Sequence, residues 1–153
     1  MRIAIGCDHG GFLAKEEIKK YLESEFGYQV VDFGCFSSES CNYPYYAFQA
    51  AEAVASGKAD KGILICNSGE GVAMCANKVK GIRCGIGYND DVSHLIVEHN
   101  HANMIAFGAQ FTSLEEMKRR IKLFFSANVL EGRHEIRVNL IKKYEETGEI
   151  CDK

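Results

Sequence analysis

Two stretches of this chain carry residue types at spacings suited to an anionic ligand, and one of them can also move a proton on carbon. The first is Cys66-Asn67-Ser68-Gly69-Glu70-Gly71, directly after the apolar run Gly62–Cys66. Two glycines one residue apart, between a strand and a helix, form a tight turn whose N–H groups converge on an anion. A thiol facing such N–H groups is favoured as thiolate, the form that can take a proton from carbon. The same N–H groups can hold the oxyanion that results. The plain alternative is a buried cysteine that ends a core strand. The loop is neither a Walker A sequence nor the dinucleotide G-x-G-x-x-G, and the absence of G-x-G-x-x-G after the first strand speaks against a nicotinamide or flavin site. The second stretch is Cys7-Asp8-His9-Gly10-Gly11, where an Asp-His pair opens a helix and two glycines permit close approach of an anion. Its plain alternative is Asp8 as a helix cap and His9 as a surface residue.

Three other places hold polar groups. Glu98-His99-Asn100-His101-Ala102-Asn103 has histidines at i, i+2, which is not the spacing of a zinc helix, and offers no clear third ligand. A histidine acting on a sugar hydroxyl fits that stretch and needs no metal. Arg133 and Arg137 stand at i, i+4 near a helix start, where two guanidinium forks can clamp a phosphate or form a solvated face. Tyr43 and Ser37-Ser38 fall in a polar loop that ends at Pro44, the only proline.

The elements that must position these groups follow from hydrophobic periodicity. Apolar runs at Arg2–Gly6, Val30–Phe33, Gly62–Cys66, Ile82–Ile86 and Met104–Phe107 read as strands. Helical patterns lie between them. Ala14, Ile18, Tyr21, Leu22 and Phe26 share one face, and Ala47–Ala55 is Ala-rich. Asn89 or Asp90 can cap the helix that carries Val92, Leu95 and Ile96, and Ser113 with Glu116 is a capping box. A last helix starts near Gly132 with Ile136, Leu140, Ile141 and Tyr144, and its apolar side must cover either the chain's own sheet or a partner's surface. Strands alternating with helices predict an α/β fold with a five-stranded parallel sheet covered on both faces. In such sheets ligands bind beyond the carboxyl ends of the strands, so chemical groups are expected just after strands 1, 3, 4 and 5.

Composition limits the classes. The chain has 153 residues, enough for one domain. Its 18 Lys and Arg against 21 Asp and Glu give a net charge of -3, which argues against broad phosphate neutralisation on a nucleic acid. No apolar run approaches the ~20 residues of a membrane span. The first residues reach Asp8 and His9 too soon for a signal peptide, so a cytoplasmic location is expected. Seven cysteines, at 7, 35, 41, 66, 75, 84 and 151, are odd in number and irregular in spacing, so reduced thiols are expected. Those at 7, 75 and 84 read as small hydrophobes.

Taken in order, the chain resembles the type B ribose-5-phosphate isomerase family, whose relatives include galactose-6-phosphate isomerase subunits. The likeness rests on GCDHGGF at 6–12, NYP at 42–44, GILIC with its glycine turn at 62–71, ANKV-GIR at 76–83, HN-x-x-N at 99–103, AFG at 106–108 and GRH-x-x-R at 132–137. It implies a Rossmann-like three-layer α/β/α sandwich. It implies a homodimer or tetramer whose sites are completed by the neighbouring subunit, with no metal or other cofactor. The implied reaction interconverts ribose 5-phosphate and ribulose 5-phosphate through a cis-enediolate, in the non-oxidative pentose phosphate pathway. On this likeness Cys66 is the base, Ser68 the proton relay between the substrate oxygens and His99 the ring-opening residue. The backbone of Asn67, Gly69, Glu70 and Gly71 holds the enediolate. Asp8, His9, Tyr43 and Asn100 bind the sugar, and Arg133 and Arg137 the phosphate.

The chain departs from the family pattern at four positions. Asn67 replaces a glycine, Glu70 adds negative charge, Gln110 replaces a phosphate-contacting arginine and His101 replaces aspartate. The alternatives are a six-carbon substrate such as allose or galactose 6-phosphate, and a phosphosugar-binding module without catalysis. The catalytic expectation requires the Cys66 sulfur to face a cavity ringed by the histidine and guanidinium groups.

Overall fold

A computed structural model describes residues 1–150; Cys151 lies outside the described residues. In chain order the elements are β1 (Arg2–Cys7), α1 (Phe12–Phe26), β2 (Gln29–Asp32), α2 (Tyr43–Ala55), β3 (Lys61–Cys66) and α3 (Glu70–Ala76). They continue with β4 (Cys84–Ile86), α4 (Asp90–Asn100), β5 (Met104–Gly108), α5 (Leu114–Ser126) and α6 (Arg133–Thr147). All strand pairs are parallel, in the order β2-β1-β3-β5-β4. The α/β class and the five-stranded parallel sheet are as the periodicity predicts.

Side chains alternate across the pleat and divide the core in two. Ile3, Ile5, Cys7, Ile63, Ile65, Ile105 and Phe107 face one layer with Ile18 and Leu22 of α1, Val97 of α4 and Met117, Ile121 and Phe124 of α5. Ala4, Leu64, Cys66, Met104 and Ala106 face the other, with the alanines of α2 and Val72, Ala73 and Ala76 of α3. Small residues on α2 let that helix lie close to the sheet; a methyl group on Gly6 would stand 3.1 Å from the Tyr46 carbonyl oxygen.

Several boundaries differ from expectation. The second strand runs Gln29–Asp32, one residue earlier than the apolar run. Its last residue is an anchor: Asp32 binds Lys15 Nζ at 2.5 Å and Lys19 Nζ at 2.6 Å, and accepts the Gly34 N–H at 2.9 Å. Tyr43 and Pro44 belong to the first turn of α2 rather than to a loop, since proline is suited to a helix start where its missing N–H costs nothing. The fourth strand keeps only Cys84–Ile86. Arg83 is diverted, donating from Nε and Nη2 to the His101 carbonyl at 3.1 and 2.8 Å and from Nε to the Asn100 carbonyl at 2.9 Å, where it caps the last carbonyls of α4. Asn77 binds both the N–H and the C=O of Cys84 and so fixes β4 to α3, which gives the Ala76-Asn77-Lys78 stretch a structural part.

The last helix does not cover its own sheet. It packs on α4, with His134 and Val138 buried, while Ile136, Leu140, Ile141 and Tyr144 remain exposed. Glu145 accepts the Gly81 N–H, and a 200 Å³ cavity lies between Ile141 and Arg83, Cys84, Ile96 and Asn100. α6 therefore runs along the edge of the sheet where β4 and β5 begin.

Candidate active site

β1, β3 and β5 end side by side, and their exits carry the first group of candidate residues. Cys66 closes β3 opposite Gly108 of β5, and Cys7 closes β1 opposite Ile65. The ladder continues past the strands: Asp8 N–H donates to Ile65, Ala109 N–H to Cys66 and Gln110 N–H to Asn67. Close backbone approach makes this possible. A methyl on Gly11 would meet the Ile65 carbonyl oxygen at 2.4 Å, and one on Gly108 the Ser68 carbonyl oxygen at 2.4 Å. Only glycine fits at either place.

Cys66 is 3% exposed and lies on the sheet face of Leu64. Its sulfur accepts the Gly69 N–H at 3.1 Å. Gly69 reaches that position with φ +86°, the left-handed region that glycine enters freely. Ser68 stands exposed above it, its Oγ accepting the Glu70 N–H at 3.4 Å. Asn67 and Glu70 are exposed, and Glu70 begins α3. Tyr43 closes the other side: a methyl on Gly71 would come within 2.7 Å of the Tyr43 ring. A sulfur, a hydroxyl and a folded-back loop of amides are thus gathered around one point.

Asp8 is 7% exposed and its Oδ1 accepts the Gly11 N–H at 3.0 Å, so it fixes the turn into α1 while Gly11 itself is the cap residue. His9 is exposed, and its Nδ1 accepts the Cys41 N–H at 3.3 Å. That bond fixes the proton of a neutral His9 on Nε2, pointing away from the loop. Burial pushes the Cys84 thiol up to about 12, as befits a small hydrophobe. Burial and the neighbouring Cys66 push Cys75 up.

The second group of candidates lies elsewhere. His99 and Asn100 end α4, and Asn103 accepts the Gly62 N–H at the beginning of β3. Cys66 is four residues further along β3, roughly 13 Å away at ~3.3 Å per residue. His99 stacks on His134, ring centroids 4.1 Å apart and planes 10° from parallel. Arg133 Nε donates to His134 Nε2 at 3.4 Å, and His101 Nε2 donates to the Leu130 carbonyl at 2.9 Å. Burial first, then the neighbouring His99, Arg133, Arg137 and His101, which disfavour a positive charge there, hold His134 below the ordinary imidazole value. Sequence reasoning gave His134 no part; its place between two arginine positions in Gly132-Arg133-His134 was the available signal. Arg137 stands one turn beyond Arg133, exposed.

Within one chain, then, the cysteine, hydroxyl and amides lie at the carboxyl edge of the sheet. The His99, His101 and His134 imidazoles and the Arg133 and Arg137 guanidiniums lie at the amino edge, while His9 stays with the carboxyl edge. The candidate residues that follow β1 and β3 stand beyond the carboxyl ends of those strands, and Gln110 follows β5. After β4, Asp90 is instead paired with Arg119 at 2.7 Å and Arg120 at 3.3 Å. Among the described residues, no group of three His, Cys, Asp or Glu side chains is placed to hold a metal ion, and no helix is long and apolar enough to cross a membrane.

A family model described as Ribose/Galactose Isomerase matches residues 3–141. Ribose-5-phosphate isomerase B of Escherichia coli (strain K12) is 43% identical over 145 residues, 95% of this chain and 97% of that protein. The galactose-6-phosphate isomerase subunit LacB of Clostridium acetobutylicum is 39% identical over 127 residues, 83% of this chain and 73% of that protein. Among solved structures, ribose-5-phosphate isomerase B of Clostridium thermocellum superposes with a TM-score of 0.94 at 40% identity, covering 97% of this chain and all of that one. Ribose-5-phosphate isomerase B of Mycoplasma genitalium, solved with bound ribulose-5-phosphate, gives a TM-score of 0.91 at 34% identity, covering 95% of this chain and 97% of that one.

Proposed function

Because the chain belongs to the Ribose/Galactose Isomerase family, and is an isomerase, we propose that it interconverts ribose 5-phosphate and ribulose 5-phosphate in the cytoplasm, as a step of the non-oxidative pentose phosphate pathway. The observation that carries this reading is the Cys66 sulfur held by the Gly69 amide under an exposed Ser68. A module that only binds phosphosugars has no use for a thiol there.

The reaction runs as follows. His99 takes the proton of the anomeric hydroxyl, the ring C1–O4 bond breaks with its electron pair going to O4, the proton is returned from His99 to O4, and the open-chain aldehyde is freed. The Cys66 thiolate takes the proton from C2. The electrons move onto O1, and the amides of residues 67–71 hold the cis-enediolate that forms. Ser68 passes the O2 proton to O1. Cys66 returns its proton to C1, and ribulose 5-phosphate leaves. Asp8, His9, Tyr43 and Asn100 hold the sugar hydroxyls; Arg133 and Arg137 hold the phosphate.

One chain cannot bring these groups together, because the sheet separates them. A second copy can. In a two-fold dimer the amino edge of each chain meets the carboxyl edge of the other, and two equivalent sites form. The exposed surfaces support this arrangement. Leu13, Phe36, Tyr45, Met74 and Phe111 stand uncovered around the carboxyl edge, while α6 presents Ile136, Leu140, Ile141 and Tyr144. Apolar groups on this scale are stabilised by mutual burial.

The test is a coupled isomerase assay with ribose 5-phosphate and allose 6-phosphate in parallel. Turnover of ribose 5-phosphate with the higher kcat/KM supports the reading. Turnover of the six-carbon sugar alone would transfer the site to a second reading, which the 39% identity to a galactose-6-phosphate isomerase subunit keeps open. Absence of turnover on both would leave a binding module.

A further inference from the structure

Beside the thiol, two exposed amides form a clasp. Asn67 Nδ2 donates to Gln110 Oε1 at 2.8 Å, and the Gln110 backbone N–H donates to the Asn67 carbonyl at 3.1 Å. The preceding rung joins Ala109 N–H to the Cys66 carbonyl at 2.8 Å. The clasp is therefore the next rung beyond the thiol, and it ties the loop bearing Cys66 and Ser68 to the exit of β5.

An amide–amide bond uses one carbonyl and one NH₂ group. It leaves the other carbonyl and the other NH₂ free. This is true whichever amide donates, so it does not depend on which terminal atom is oxygen and which nitrogen. Here the free groups are Asn67 Oδ1 and Gln110 Nε2, neither of which has a partner among the described residues. A hydroxyl both donates and accepts, so it satisfies both groups at once. A phosphate oxygen only accepts, and would set lone pairs against the free carbonyl. Glu70 in the same loop and Asp8 at the end of β1 add negative charge on this side. The exposed arginines expected to take the phosphate, Arg133 and Arg137, begin α6 at the other edge, and Lys15 on this side is buried and paired with Asp32.

We propose that the Asn67–Gln110 clasp is a specificity-determining element that reads a chain hydroxyl of the sugar, beside the carbons that exchange the proton, and leaves the phosphate to the arginines. The proposal rests on the isomerase reading of the same site. It explains how neutral amides serve at the mouth of a site for an anionic substrate.

Binding separates this proposal from the catalytic reading. In a Cys66→Ala background, calorimetry is run with ribose 5-phosphate and, separately, with inorganic phosphate. The variants are Asn67→Ala, Gln110→Ala and the double substitution. Either single substitution should weaken ribose 5-phosphate binding about tenfold, the worth of one or two neutral hydrogen bonds. The double should fall within about twofold of the singles, since both remove one unit. Inorganic phosphate should bind equally to all. A parallel loss of phosphate binding, or single effects that multiply in the double, would overturn the proposal, as would a Gln110→Arg protein that binds ribose 5-phosphate more tightly than its parent. The catalytic reading fails on a different observation, the absence of ribose 5-phosphate turnover by the wild-type protein.

Discussion

Cys66 and His99 lie at opposite ends of the same sheet, Cys66 closing β3 and His99 ending the helix that leads into β5. The separation is fixed by covalent topology: α4 descends from the carboxyl edge to the amino edge, and no rotamer of His99 spans the strand length between them. If both residues serve one site, as proposed, a second copy has to bring the edge that one chain cannot.

Complementation tests that arrangement. Cys66→Ala and His99→Ala homodimers should each be nearly inactive. Mixed after partial denaturation and refolding, they form heterodimers in which one site has both defects and the other neither. The mixture should recover about one quarter of wild-type activity. No recovery, with heterodimers present by native mass spectrometry, would place both residues in one chain's site.

Cys66→Ala alone should lower kcat by about 10²–10⁴-fold, the contribution expected of a positioned base. Binding of ribose 5-phosphate should persist. Loss of solvent deuterium incorporation into substrate, followed by mass spectrometry, checks that the missing step is proton transfer from carbon. Near-normal deuterium incorporation would reassign the base.

Gly69→Ala should impair stability and turnover together. The left-handed backbone at φ +86° costs an L-residue about 1–2 kcal/mol. The added methyl would also stand 2.9 Å from the Phe107 carbonyl carbon and 3.0 Å from the Gly108 nitrogen. Relief of that contact moves the amide away from the Cys66 sulfur. The expected results are a lower Tm and a kcat loss larger than the change in KM; an unchanged kcat would remove this amide from the chemistry.

Asp32 makes stability depend on pH. Burial raises its carboxyl, but hydrogen bonds from Lys15, then Lys19 and the Gly34 N–H, outweigh this and hold it below the ordinary value of 3.8. The native state therefore binds the proton less readily than the unfolded chain. The stabilisation is complete above that ordinary value and is lost as pH falls through the native one. Asp32→Asn should cost on the order of 1–3 kcal/mol near neutrality, and the gap to wild type should narrow below about pH 4. Urea midpoints between pH 3 and 7 measure both; a gap that stays constant would sink the account.

Much of the fold can be read from the chain itself. Five apolar runs separated by helical periodicity fix a parallel α/β sheet, because a strand buried on both faces and a helix buried on one leave different marks in sequence. Ser113 with Glu116 marks the start of α5, and both capping bonds form. Tyr43 and Pro44 misled, since proline reads as a loop residue when its role at a helix start is not recognised. Arg83 misled too, because a strand pattern of Ile82–Ile86 does not show that a guanidinium is needed at the end of α4.

The sequence by itself determined the candidate groups: a thiol before a glycine turn, an Asp-His pair before two more glycines, histidines before β5 and arginines one helical turn apart. Those are local patterns, and local chemistry suffices to recognise them. Which of them meet was decided only by tertiary structure. Strand order and the direction of α4 are set by packing between residues far apart in the chain, and they place the thiol and the imidazole on opposite edges. The pairing of Asn67 with Gln110 has the same origin, for two amides 43 positions apart become neighbours only when β3 and β5 lie side by side.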